Sequence, residues 1–151
     1  MTADKYFVDT NILIYAYDLS AGEKHEKAKR ILIGLWETGG GMLSLQVLQE
    51  FFVNITRKVS KPLEVNRAKE IIQDFLKWDL VLADGESVVE AIELHDRYQF
   101  SFWDAMILQA ALRGGASFLL SEDLAEGQTI GGLKIKNPFR GADLTLIHNK
   151  K

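Results

Sequence analysis

The chain has no cysteine in its 151 residues. Disulfides, zinc–thiolate sites and cysteine nucleophiles are therefore excluded. Its three histidines, His25, His95 and His148, are too scattered for a histidine-rich zinc site. No apolar run approaches the roughly 20 residues that span a bilayer. The opening Met1-Thr2-Ala3-Asp4-Lys5 lacks the pattern of a signal peptide. A cytoplasmic protein without membrane association is the expectation. Positive charge is also short, with 18 Lys and Arg against 21 Asp and Glu and a formal charge of -3. A nucleic-acid binder usually presents a basic domain. A nuclease remains compatible with this balance, because a clustered acidic site lowers the total while basic residues elsewhere hold phosphates.

What the chain does have is an ordinary globular composition, 47% apolar and 26% charged. Its length suits one domain, residues 1–151, with a substantial hydrophobic core. No repeat, low-complexity segment or linker divides it. Residues 5–8 predict a buried strand and 12–17 a helix. A second helix over 23–38 carries Ala28, Ile31, Leu32 and Leu35 at helical spacing and stops at Gly39-Gly40-Gly41. After a short strand at 42–43, Ser44 caps a helix whose stripe is Leu45, Val47, Leu48, Phe51, Phe52 and Ile55. Val65, Ala68, Ile71, Ile72, Phe75 and Leu76 mark the next helix. A strand follows at 80–82, then a helix with Val88, Ala91, Ile92 and His95 on one face. Ser101 opens a nearly all-apolar helix that Gly114-Gly115 ends. Residues 117–120 predict another buried strand, and short strands are expected near 133–135 and 144–146. Strands alternating with helices predict an α/β domain with a mostly parallel sheet, whose ligand edge is where the strands end.

Four acidic residues fall where these segments begin or end: Asp9, Glu50, Asp104 and Asp123. Each has a plain structural alternative. Asp9 precedes a helix and suits an N-cap. Ser101-x-x-Asp104 resembles a capping box with Asp in place of Glu or Gln. Glu50 fits a solvated helix face, and Asp123 a surface loop beside Glu122. Together they carry more than they do singly, since each sits beside an apolar element able to aim it at one edge. Carboxylates gathered around one point repel each other unless a hard cation compensates them, and Mg²⁺ or Mn²⁺ suits oxygen ligands. Metal-assisted phosphodiester hydrolysis is the chemistry such a group suggests.

Asp9-Thr10-Asn11-Ile12-Leu13, Ser44-x-x-Val47-x-x-Glu50-Phe51, Ser101-Phe102-Trp103-Asp104-Ala105 and Leu120-Ser121-Glu122-Asp123-Leu124 resemble the successive motifs of PIN domains. They are most similar to those of VapC-type toxins from bacterial and archaeal toxin–antitoxin pairs. The stretch from Gly127-Gln128 to Asn137-Pro138-Phe139 is similar too. The resemblance covers essentially the whole chain. It implies a three-layer α/β/α fold, Mg²⁺- or Mn²⁺-dependent ribonuclease activity, a homodimer and a cognate antitoxin. By it Asp9, Glu50, Asp104 and Asp123 correspond to the catalytic, metal-holding set, and Thr10, Asn11 and Ser121 to supporting positions. Glu122 is left between the metal site and solvent.

The chemistry suits these residue types. A divalent ion lowers the pKa of water toward neutrality and offsets the charge of the scissile phosphate. Water attack predicts 5′-phosphate and 3′-hydroxyl products. Two basic groups, Lys24, His25, Lys27, Lys29 and Arg30, then Arg57, Lys58 and Lys61, are candidate phosphate contacts or simply solvated faces. Trp36 and Trp78 are expected in packing or in a partner's groove. The helices over 23–38 and 65–76 supply apolar surface for a dimer and for an antitoxin. A non-hydrolytic PIN-like RNA-binding or regulatory module is the alternative. A phosphotransferase with Asp9 as nucleophile is disfavoured, because Asn11 stands where such enzymes want a second Asp and no phosphate-cradling glycine loop follows a strand.

Overall fold

The computed structural model describes residues 3–124 and 127–140. Its strands are β1 (Tyr6–Val8), β2 (Gly41–Ser44), β3 (Asp79–Val81), β4 (Phe118–Leu120), β5 (Thr129–Ile130) and β6 (Leu133–Lys136). They form one sheet in the order β3-β2-β1-β4-β6-β5. All neighbours pair in parallel except β5 and β6. The helices are α1 (Thr10–Tyr17), α2 (Glu23–Thr38), α3 (Leu45–Arg57), α4 (Val65–Phe75), α5 (Gly85–Tyr98) and α6 (Phe102–Arg113), with a 3-10 turn at Leu19–Ala21. This is the three-layer α/β/α arrangement. The strand expected near 144–146 lies outside the described residues.

Local chemistry sets the boundaries. Ser44 accepts a hydrogen bond from Val47 N and starts α3, and Gly39, at φ 72, closes α2 with its N–H on Leu35 O. That left-handed φ is open to glycine at no steric cost. β1 is buried along its whole length and lies between β2 and β4, so Phe7 and Val8 face apolar layers on both sides. Leu13, Leu43, Phe51, Leu108 and Leu119 are completely buried around them. Helix α6 is buried from Ala105 to Ala111. Its near-absence of polar residues follows from its position, with the sheet on one side and α5 on the other.

One helix face differs from expectation. The pattern in α5 predicts an inward stripe of Val88, Ala91, Ile92 and His95. Instead Ser87 and Ala91 are buried, Leu94 and Tyr98 pack against the core, and Val88, Val89 and Ile92 are 41–50% exposed. Ser87 tolerates burial because its hydroxyl is satisfied locally, accepting from Asp84 N at 3.0 Å and bonding Asp84 Oδ1 at 3.1 Å.

Gly41 opens β2 beneath an indole. A Cβ there would stand 2.4 Å from Trp78 Cε3. The β2 backbone is paired to β1 and β3 and has little freedom to retreat. Gly41→Ala is expected to destabilise the fold by about 1–3 kcal/mol, as overpacking does. Chemical denaturation would measure it, and an unchanged midpoint would mean that the Trp78 ring moves aside at no cost.

Candidate functional site

The site begins at the end of β1. The Asp9 N–H continues the sheet by donating to Leu120 O at 3.0 Å. The chain then turns into α1 with Asp9 as its N-cap, and Oδ1 accepts from Thr10 N at 2.7 Å. Oδ2 accepts from the buried Ser121 hydroxyl at 2.8 Å. Ser121 Oγ in turn accepts from the N–H groups of Asp123 and Leu124, at 3.2 and 3.3 Å, and so shapes the loop after β4. The capping expectation for Asp9 is therefore met, and it does not exhaust the residue. Asp9 is only 7% exposed. Burial pushes its carboxyl up to about 6, against the pull of Ser121 and Thr10, and the charges of Glu50 and Asp104 push the same way.

Glu50 reaches the same place from the second turn of α3. Its Oε1 accepts from Thr10 Oγ1 at 2.7 Å and its Oε2 from Gln46 Nε2 at 3.1 Å. Asp104 sits in the first turn of α6, whose N-cap Ser101 accepts from Asp104 N at 3.1 Å. Its carboxyl is also raised, chiefly by burial, with Asp123 and Glu50 adding to the effect and Ser101 opposing it. Asp123 is held by Asn11, whose Nδ2 donates to Oδ2 at 3.0 Å. Thus Asp9, Glu50, Asp104 and Asp123 arrive from four segments and line one cleft of about 270 Å³. No described lysine or arginine lines it. Among the described residues, no three His, Asp or Glu side chains are close-set enough to hold an ion. The acids occupy the walls of the cleft.

Thr10 and Asn11 also line the cleft, while Ser121 braces Asp9 from behind. Glu122, which sequence left undecided, turns elsewhere. It accepts from Tyr15 Oη at 2.6 Å and pairs with Lys24. Burial alone would raise its pKa, but Lys24 and Tyr15 hold it below the usual carboxylate value. Two members of the first basic group are thereby accounted for: Lys24 is paired, and His25 is buried with Nδ1 2.9 Å from Tyr15 O. Arg57, Lys58 and Lys61 stay exposed where α3 ends. The cleft also has neutral walls that sequence did not assign to it, notably Gln46, Asn54 and Trp103. The first two were detectable, since residues 46, 50 and 54 repeat every fourth position on one helix face.

A parallel α/β/α sheet with carboxylates gathered past its strand ends places a ligand site at that edge. The family model for the PIN domain matches residues 6–125, and the chain belongs to that family. Among curated proteins no relative matches it. Solved structures with the same fold include a toxin–antitoxin complex from Klebsiella pneumoniae, 21% identical over 89% of this chain and 98% of that one, with a TM-score of 0.64. Another is VapC20 of Mycobacterium tuberculosis, a toxin that cleaves the sarcin–ricin loop, 22% identical over 76% and 87% with a TM-score of 0.60. A third is DNA-bound VapBC from Salmonella typhimurium, 19% identical over 90% and 99% with a TM-score of 0.59.

Proposed function

We propose that this PIN domain is a Mg²⁺- or Mn²⁺-dependent endoribonuclease, the toxin of a type II toxin–antitoxin pair. The carrying observation is the cleft in which Asp9, Glu50, Asp104 and Asp123 meet no described cationic side chain. The donor set fits a hard divalent ion. Every candidate ligand is an oxygen, and burial beside other acids leaves the charge of Asp9 uncompensated. Asn11 adds a buried Oδ1 that has no hydrogen-bond partner. The four carboxylates, no three of which are close-set enough to hold an ion as they stand, would have to draw in around it, and the bound ion would supply hydroxide near neutral pH and offset the phosphate's charge. The protein's part is orientation. Ser121 and Thr10 N fix both oxygens of Asp9, and Thr10 Oγ1 and Gln46 fix both of Glu50. Each such oxygen retains a second lone pair for a cation. The positive end of the α6 dipole favours ionised Asp104.

Two protein partners belong to this reading. A second cleft of about 440 Å³ is lined by Leu19, Ile33, Trp36 and Ile71, with Lys29 and Arg67 among its walls. It suits an antitoxin segment with an apolar face and acidic flanks. The exposed Val88, Val89 and Ile92 on α5 offer an apolar face for a homodimer. No described helix is long and apolar enough to cross a membrane.

The test is to incubate the purified chain with single-stranded and structured RNA, in Mg²⁺, Mn²⁺ or excess chelator. Cleavage is expected only with metal, leaving 5′-phosphate and 3′-hydroxyl ends. Activity that survives exhaustive chelation would overturn the metal mechanism. RNA binding without cleavage under every metal would favour the non-hydrolytic module instead.

A further inference from the structure

Trp103 is 64% exposed, although it is among the largest apolar side chains in the chain. The other two tryptophans are used in packing. Trp36 and Trp78 lie 5.3 Å apart between ring centroids, and both pack against Phe75 at 5.6 and 5.0 Å. Trp103 has one aromatic neighbour, Phe102, whose ring meets it edge-on at 5.1 Å. Its backbone is pinned to α3, since Trp103 O accepts from Gln46 Nε2 at 3.4 Å. That links the start of α6 to the helix that carries Glu50. Trp103 precedes Asp104 directly and lines the carboxylate cleft.

The other lining residues narrow its use. Four acids repel phosphates, and no described lysine or arginine offsets them there. Beyond the charge that a bound cation would offset, the nucleotides that flank the scissile bond meet only neutral described groups in the cleft wall. The amide nitrogens of Gln46 and Asn54 already donate to Glu50, which leaves the exposed Trp103 face. An aromatic face binds a nucleobase by stacking, and every base has a π-face to offer. A base inside a duplex is already stacked on both sides and unavailable, whereas an unpaired one is free.

We propose that Trp103 is a substrate-contacting residue, a stacking platform for one unpaired base next to the scissile phosphate, which directs the site to single-stranded segments of RNA. This rests on the ribonuclease reading above. The exposure of Trp103 then has a use, in the same cleft wall as the neighbouring Asp104.

The test combines a protein change with an RNA change. Binding of fluorescently labelled single-stranded RNA is followed by anisotropy in Ca²⁺, and cleavage in Mg²⁺. Trp103→Ala is expected to weaken binding and raise KM by about 5- to 100-fold, the range for a stacked base, with a smaller change in kcat. Trp103→Phe should recover much of the loss. An abasic nucleotide at the stacked position should reproduce the loss on the wild type and add nothing to it on Trp103→Ala. Wild-type binding by Trp103→Ala, or losses that multiply when the two changes are combined, would overturn the proposal. So would a dimer, seen by light scattering, that falls apart on Trp103→Ala, since the indole would then be a subunit contact. A wild type that binds RNA without cleaving it would defeat the ribonuclease reading and leave the stacking arm to be judged on binding. A wild type that binds no RNA would defeat both.

Discussion

Asp9→Asn is expected to lower RNA cleavage by about a thousandfold or more and, without metal, to raise the melting temperature. On the proposed mechanism the first effect follows from removing a charge that would hold the cation. Electrostatic stabilisation by a held cation amounts to several kcal/mol, and about 4 kcal/mol is a thousandfold in rate. The second follows from the cost of keeping Asp9 ionised. Its carboxyl stands at about 6 in the fold against an ordinary 3.8. The folded state therefore binds this proton more tightly than the unfolded chain does. The stability it contributes is full below about pH 4 and is lost as pH rises through about 6. At neutral pH the loss is about 3 kcal/mol, from roughly 1.4 kcal/mol for each tenfold difference in proton affinity. Asn carries no such cost, and it caps a helix about as well as Asp. At about 2–4 °C per kcal/mol for a domain of this size, the variant should melt roughly 5–10 °C above wild type in chelator near pH 7.5. A purely structural Asp9 gives the opposite signs, with near-normal cleavage and a lower melting temperature, and either result would remove it from the site.

The helices and their ends were the legible part of this fold. α2 and α3 have apolar stripes bounded by a glycine run and a capping serine, and both lie where that pattern puts them. The error in α5 has a specific cause. A polar residue reads as exposed, but Ser87 is satisfied by Asp84 three residues away and can be buried, which rotates the whole face. The strand β5 was missed because two residues carry no period. Its signal lay in Gly131-Gly132, both at positive φ (56 and 84), a two-residue connection suited to an antiparallel hairpin. Asp9, Asp104 and Asp123 were visible beside segment ends, whereas Glu50 lies in the second turn of α3 and showed only as the border of an apolar stripe. The long-range bracing of these acids was not legible. Asn11 to Asp123 and Ser121 to Asp9 each span 112 positions, and Thr10 to Glu50 spans 40. Nothing local separates Glu122 from Asp123. Only the approach of Tyr15 and Lys24 turns one away while Asn11 draws the other into the cleft.

The same cost of ionising a buried carboxylate would make a bound metal visible without any substrate. Mg²⁺ that binds the folded cleft and not the unfolded chain stabilises the fold by RT ln(1 + [L]/Kd), about 2.7 kcal/mol at a hundred times Kd. At pH 8 this is a rise of roughly 5–10 °C over chelator. The effect must depend on pH, because a cation competes with the proton on Asp9. Below about 6 that carboxyl is mostly protonated. The increment is therefore expected to shrink as pH falls through about 6. In chelator the wild type shows the mirror image, since the contribution of Asp9 is regained on acidification. Asp9→Asn should flatten both curves, with a small Mg²⁺ increment at every pH and no dependence near 6. Melting curves at several pH values, with Mg²⁺ and with chelator, would decide the matter. A wild type indifferent to Mg²⁺ at pH 8 would mean that the four acids share a cleft without sharing an ion, and their roles would reduce to the hydrogen bonds that hold them.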